Sequence, residues 1–291
     1  MDTNITLVIT MYNRIEMLRN ILLSVSIQTQ KVNRIIIADD GSEQDPAEIL
    51  EEFSKELSVP ITHVRQADNG FRAARSRNNG VRAADDGIII FADQDVVFTP
   101  GYFEYLCKNM RKGKFLVGYL LRLDEKQSAG IRREMIRSGD FSSLVRDEQI
   151  MEVKKQYRKE KIYEWLHKLH LRPIGPKLRS GICAIYKSDI EVVNGFDEGY
   201  QGWGHEDDDL GWRLYAAGIQ GKNVFDSEYS LHQYHPPHRA PGERVNKDYF
   251  ENRKIAARKG EFWCEKGVVN DFDDYDDVTS VTYGELQEKG L

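Results

Sequence analysis

Short apolar runs alternate with longer amphipathic stretches through the first half of the chain. Ile5 to Ile9 is β-branched and almost unbroken, the pattern of a strand buried on both faces. Ile15 to Ile27 then carries Met17, Leu18, Ile21, Leu22 and Val25 at helical spacing. Arg34 to Ala38 predicts a second strand, and Pro46 to Leu57 a helix with its proline in the first turn. Ile61 to Val64, Gly70 to Ala84, Gly87 to Ala92, Pro100 to Met110 and Phe115 to Leu121 continue as strand, helix, strand, helix, strand. This alternation predicts an α/β fold, Rossmann-like, with a mostly parallel sheet and helices on both faces.

The polar residues fall where such a sheet binds ligands, beyond the carboxyl ends of its strands. Thr10 to Asn13 follows the first strand, Asp39-Asp40-Gly41-Ser42 the second, and Asp93-Gln94-Asp95 the apolar run Ile88 to Ala92. Burying such carboxylates without a purpose costs desolvation energy. Downstream, Gly181 to Tyr186 reads as a strand and Asp207 to Ala217 as a helix stopped by Gly218. Val224-Phe225 reads as a short strand, before Leu231-His232-Gln233-Tyr234-His235-Pro236-Pro237-His238.

Asp124 to Arg172 breaks the pattern, being basic and helical in flavour. Ile150, Val153, Tyr157, Trp165 and Leu169 are spaced roughly as one helical face. Two readings stand: a helix packed on the domain, or a surface that meets anionic lipid or a charged acceptor. Arg132 to Arg179 holds 13 Lys/Arg against 7 Asp/Glu, a local excess of six, and the packed helix is the reading preferred. The whole chain has a net charge of −6, which gives no reason to expect nucleic acid. Asp271, Asp273, Asp274, Asp276 and Asp277 crowd around Phe272 and Tyr275, and residues 266–291 read as a solvated acidic tail.

Asp93 and Asp95 would repel each other unless a cation sat between them, and oxygen ligands suit Mg²⁺ or Mn²⁺. A histidine ligand shifts the preference toward Mn²⁺; His232 is favoured, with His235 in reserve. Glu206 to Asp209 are four consecutive acids, favourable at a helix N-terminus, where the dipole should keep them ionised. Trp203, between Gly202 and Gly204, offers a flat face for a sugar ring.

Thr10-Met11-Tyr12-Asn13-Arg14, Asp39 to Ser42, Arg77-Asn78-Asn79-Gly80 and Asp93 to Asp95 together resemble the successive motifs of family 2 glycosyltransferases with the GT-A fold. Gly195 to Glu198 and Gly202 to Asp209 resemble the acceptor-side motif of the β-1,4-galactosyltransferase group and of bacterial chondroitin-polymerase-like enzymes. The resemblance covers roughly residues 4 to 238. It implies one GT-A domain over residues 1–265: a nucleotide-binding half (1–122), a basic helical insertion (123–177) and an acceptor and metal half (178–265). Tyr12 would then stack on the base with Thr10 nearby, and Asp40 would accept a uracil N3–H. Arg14, Arg77, Asp93, Gln94 and Trp203 complete the nucleotide-sugar set. Asp95 and His232 would bind metal, Asp207 would be the general base, and Glu206 would hold a sugar. The implied reaction is inverting, metal-dependent transfer from a UDP-sugar to a saccharide or lipid-linked acceptor in bacterial polysaccharide, lipopolysaccharide or capsule synthesis.

The rivals each lack something. A pyrophosphorylase needs a glycine-rich basic loop, and a dehydrogenase a dinucleotide turn, after the first strand. A metal-dependent nucleotide-sugar hydrolase could use the same acids and histidines. A non-catalytic sugar-binding module would keep Trp203 without needing Asp95, His232 and Asp207 together. Cys107, Cys183 and Cys264 are few and far apart, and no signal peptide or run of about 18 apolar residues is evident. These features give the expectation of a cytoplasmic protein, with peripheral contact at the inner face of the membrane.

Overall fold

A computed structural model describes residues 4–225, 228–236, 245–269 and 277–284. The elements in chain order begin β1 (Ile5–Met11), α1 (Ile15–Ser26), β2 (Arg34–Asp39), α2 (Ala47–Leu57), β3 (Ile61–Gln66), α3 (Ala73–Ala83) and β4 (Ile88–Asp93). There follow β5 (Val96–Phe98), α4 (Tyr102–Asn109), β6 (Lys114–Val117), β7 (Leu120–Arg122), α5 (Glu125–Ala129), α6 (Arg133–Ser138) and α7 (Asp147–Lys168). The rest are β8 (Ile182–Tyr186), α8 (Lys187–Glu191), α9 (Glu206–Ala216), β9 (Gln220–Asn223), β10 (Ser230–His232), α10 (Lys247–Arg258) and β11 (Val278–Tyr283).

Eight strands form the main sheet in the order β11-β3-β2-β1-β4-β8-β6-β9. Strands β3, β2, β1 and β4 run parallel, whereas β8 is antiparallel to β4. β1 is buried along almost its whole length because helices cover both faces of the sheet. One core holds Leu18, Ile21 and Leu22 of α1 with Leu50 and Phe53 of α2. The other holds Ala74 and Val81 of α3 with Leu210 and Leu214 of α9.

The structure departs from the sequence pattern in four places. Phe115 to Leu121 is not one strand: the chain leaves the main sheet at Gly118 and re-enters as β7 in a three-stranded sheet, β5-β10-β7. A Cβ on Gly118 would lie 2.1 Å from the Tyr102 hydroxyl, so only glycine passes there. Val224 and Phe225 follow β9 rather than forming it.

Third, the predicted face of α7 is half right. Val153 is buried and Ile150 and Tyr157 pack beside it, but Trp165 and Leu169 are 61% and 47% exposed. The eight residues from Tyr157 to Trp165 overshoot two turns by about 80°, which carries them off the inward face. Glu160 and Glu164 take the inward positions. Glu160 accepts from the Tyr119 hydroxyl at 3.1 Å and pairs with Arg179; Glu164 pairs with Lys161 and Lys168.

Finally, residues 278–283 belong to the sheet. β11 pairs antiparallel with β3, and Asp277 makes a two-pronged ion pair with Arg75 of α3. Pro237, His238, Asp271, Asp273, Asp274 and Asp276, with Phe272 and Tyr275, lie outside the described residues.

Candidate active site

Three parallel strands set the floor of the site. The register places Thr10 of β1 beside Ala38 of β2 and Asp93 of β4, so the polar residues that follow emerge together. Asp39 is spent on the loop itself. It accepts from the backbone N–H groups of Gly41 and Ser42 and from the Ser42 hydroxyl, and His63 sits 2.9 Å away. Burial opposes ionisation of Asp39, but these hydrogen bonds hold its carboxyl below the usual range. Asp40 is nearly enclosed, taking Gln66 Nε2 at 2.6 Å and the Arg72 N–H at 2.8 Å. Burial pushes Asp40 up to about 6 against those two bonds.

Gly41 keeps φ at +91°, and a Cβ there would meet the Asp68 backbone at 2.5 Å. This close approach brings Asp68 to Tyr12, whose hydroxyl donates to it at 3.0 Å. Thr10 Oγ1 is buried with no hydrogen-bond partner among the described residues.

Asp95 sits in the turn between β4 and β5, and the small sheet delivers the histidines to it. β10 runs antiparallel to β5 with His232 opposite Val96, and the Gln233 N–H donates to the Asp95 carbonyl at 2.9 Å. His232 Nε2 lies 3.6 Å and His235 Nε2 3.0 Å from Asp95 Oδ2. One ligand atom from each of the three residues falls within 4.8 Å of the others. Asp95 Oδ1 is buried and has no hydrogen-bond partner among the described residues. Burial pushes His232 down, which favours the neutral, ligating imidazole. Both histidines thus reach Asp95, so neither has to be chosen over the other.

The four acids at the start of α9 have four different fates. Asp209 pairs at 2.6 Å with Arg213, and both are fully buried. Asp208 pairs with Lys177 at 2.5 Å. Glu206 takes Arg77 Nη1 at 3.0 Å, while Arg77 Nη2 reaches Asp93 at 3.1 Å. Asp207 has no ion pair among the described residues; its oxygens accept only from the Asp208 N–H at 2.7 Å and, at 3.4 Å, from that of Ser180. Next to Ser180, Gly181 packs closely on Asp93: a Cβ there would stand 3.2 Å from Asp93 Oδ2 and 3.4 Å from the Leu120 side chain. Asp207 and Asp93 both lie near enough to Arg77 and Cys183 to act on their ionisation.

Residues 6–189 match the family profile "Glycosyl transferase family 2", nearly two thirds of the chain. The chain belongs to glycosyltransferase family 2. Residues 160–236 also match "N-terminal domain of galactosyltransferase", a span that includes α9 and both histidines. The chain is 28% identical over 251 residues to chondroitin synthase of Escherichia coli, covering 80% of itself and 35% of that protein. To validoxylamine A glucosyltransferase of Streptomyces hygroscopicus subsp. jinggangensis it is 26% identical over 241 residues, 74% of this chain and 52% of the other. It thus spans about a third to a half of these relatives. Among solved structures, GalNAc-T7 with UDP, GalNAc and Mn²⁺ superposes with a TM-score of 0.57 at 14% identity, covering 94% of this chain and 59% of the other. The mannosyltransferase PcManGT from Pyrobaculum calidifontis, with GDP-Man and Mn²⁺, gives 0.52 at 13% identity, over 82% and 59%. The fold is therefore GT-A, as the motifs imply.

Within this family 2 domain, two residues expected to touch nucleotide are occupied by protein. Arg77 is buried between Asp93 and Glu206, with its guanidinium 5.6 Å from the Phe196 ring, so it braces the two halves of the site. Gln94 exchanges two hydrogen bonds of 3.1 Å with the Tyr12 backbone and holds that loop. Glu206 is not kept readily ionised by the helix start: burial and neighbouring Asp207 push it above the usual range, against Arg77. Burial likewise raises Asp93, with Arg77 opposing and Asp95 adding to the rise. Arg14 starts α1 in the left-handed region at φ 55°, near enough to Asp95 and His235 to feel their charge.

Trp203 stands 42% exposed on a loop tied at both ends. The Gly202 N–H donates to the Phe71 carbonyl at 2.9 Å, and Asn246 donates to the Gly202 and Gly204 carbonyls. Asp68 and Asn246 were missed in the sequence. Asp68 lies between the predicted strand Ile61 to Val64 and the helix from Gly70 and belongs to no motif, and Asn246 precedes α10, a helix the apolar spacing did not reveal.

The Asp209–Arg213 pair fixes the first turn of α9. Arg213→Ala should destabilise the fold by about 3 kcal/mol in urea unfolding, because it strands a buried carboxylate. The low end of the range applies, since Arg253 remains 3.6 Å from Asp209. Unchanged stability would refute this bracing role.

Proposed function

We propose that this domain is an inverting, metal-dependent hexosyltransferase that moves a sugar from a uridine diphosphate sugar to a hydroxyl of a saccharide or lipid-linked saccharide. The observation that carries the proposal is the division of charge at the site. Asp207 alone of the four α9 acids makes no ion pair among the described residues, close to the Arg77 that holds Asp93 and Glu206, while Asp95 and two histidines form a separate cluster. Two relatives, a chondroitin synthase and a hyaluronan synthase, support a role in building polysaccharide, including lipopolysaccharide or capsule, and the validoxylamine A glucosyltransferase supports transfer of a hexose.

Asp95, His232 and His235 fit a divalent cation: one carboxylate with a buried, unpartnered oxygen and two imidazoles suit Mn²⁺ better than Mg²⁺. When bound there, such a cation supplies Lewis-acid stabilisation of the charge that develops on the leaving diphosphate. Arg14 adds fixed positive charge on the same side. Tyr12, steadied by Asp68 and Gln94, offers its ring to the base, and Thr10 Oγ1 has hydrogen-bonding capacity to spare. Asp40 accepts the N3–H of uracil, and Asp93 holds the ribose and donor sugar. Trp203 stacks on a sugar ring, and Glu206, fixed by Arg77, positions it. Asp207 takes the proton of the acceptor hydroxyl as it attacks from the face opposite the diphosphate, which inverts the anomeric centre. A hydrolase would need no acceptor-side acids, and a sugar-binding module no metal cluster.

The base pocket can be tested directly. A uridine diphosphate sugar should bind more tightly than the guanosine analogue in calorimetry. Asp40→Ala should weaken it by about tenfold or more, the worth of a hydrogen bond to a charged acceptor. Only ionised Asp40 is a full acceptor, so binding should strengthen as pH rises through about 6. Asp40→Asn should lose that step. A pH-independent affinity, or equal binding of both nucleotides, contradicts the assignment.

A further inference from the structure

From Lys154 onward, α7 is turned inside out relative to an ordinary surface helix. Both of its glutamates over that stretch, Glu160 and Glu164, face inward and are buried. Its apolar residues line up outside instead. Ile162 and Trp165, with Met151 before this stretch and Leu169 just after the helix, recur at helical spacing and are 57%, 61%, 60% and 47% exposed; the exposed acids Glu148 and Glu152 lie only at the start of the helix. Lys154, Lys155, Arg158 and Lys159 lie on or beside that stripe, are exposed, and form no ion pair among the described residues. A fold gains nothing by presenting tryptophan and isoleucine to water within a ring of unpaired cations.

We propose that the outward face of α7 is a docking surface for an anionic lipid bilayer. The apolar stripe would enter the headgroup boundary and the flanking cations would meet lipid phosphates, the arrangement of an interfacial helix. No helix among the described residues is long and apolar enough to cross a membrane, so the contact lies on the bilayer. Charge argues against a second copy of this chain, because a two-fold contact through this face would set its cations against themselves. The chain that leaves α7 leads to the site. After α7 the chain passes through Lys177, paired with Asp208, and Ser180, whose N–H reaches Asp207. If the transferase reading holds, a lipid-linked acceptor would be presented beside its base.

Flotation of the purified chain with vesicles tests this without donor or turnover, so a failure here leaves the transferase reading standing. Vesicles containing phosphatidylglycerol should carry the protein, with affinity falling as salt rises; pure phosphatidylcholine vesicles should not. Ile162→Ser with Trp165→Ser should lower the affinity by about tenfold or more, as should glutamine at Lys154, Lys155, Arg158 and Lys159 together. All six side chains are exposed, so both variants should melt like the parent. Equal binding to neutral vesicles, binding to neither, or parental binding by both variants overturns the proposal. A dimer in sedimentation that Trp165→Ser abolishes, without vesicle binding, assigns the face to self-association instead.

Discussion

Asp207→Asn should lower turnover by about two to four powers of ten, the usual worth of a positioned base. The amide keeps the shape and can still accept from the Ser180 and Asp208 N–H groups, so α9 should start as before. It cannot take a proton. Donor affinity should barely move, because the proposed base meets the acceptor rather than the nucleotide. Glu206→Gln is the needed contrast. Its carboxylate is held by Arg77, which also grips Asp93, so the change loosens both. It should raise the Michaelis constant for a sugar substrate as well as lowering turnover. Steady-state kinetics of both variants separate the roles. If Asp207→Asn kept near-normal turnover while Glu206→Gln lost it, the assignment of the base would be reversed.

Asp95→Asn should all but abolish transfer, and it should do so through the metal. The parent should take up Mn²⁺ in the presence of uridine diphosphate, followed by the loss of the free-ion paramagnetic resonance signal; the variant should not. Folding should survive, because Asp95 Oδ1 makes no hydrogen bond and the change removes a buried charge. His232→Ala and His235→Ala should each weaken Mn²⁺ uptake, since both imidazoles reach the same carboxylate oxygen. Full activity of the parent in excess chelator would falsify the metal assignment outright.

Much of this site was legible because strand ends announce themselves. A continuous apolar run that stops at Asp93 must leave that residue at the sheet's carboxyl edge, whatever the rest of the chain does. The same holds for Thr10 and Asp40. The acids of α9 were visible as a charged helix start. Their division of labour was not, because it depends on cations distant in sequence: Arg77 for Glu206, Lys177 for Asp208, Arg253 beside Asp209. α7 misled for a related reason. Helical spacing identifies a stripe but not which side meets the protein, and here buried glutamates found Arg179, Lys161 and Lys168 while the tryptophan stayed outside. β11 was masked by the acidic run before it, although Val278 to Tyr283 is rich in Val, Thr and Tyr, which favour strands; only the open edge of β3 shows what it pairs with.

The sequence by itself determined the α/β layering, the strand ends that carry Thr10, Asp40, Asp93 and Asp95, and the kinds of ligand they suit. Those follow from local periodicity and from the cost of burying charge, both readable one segment at a time. The tertiary structure decided which of these groups are available. It set His232 and His235 against Asp95 by pairing β10 with β5, it hydrogen-bonded Arg77 and Gln94 to protein partners, and it left Asp207 without an ion pair among the described residues. Those outcomes rest on contacts between residues far apart in the chain, where geometry and competition for partners, rather than residue type, determine what remains free to react.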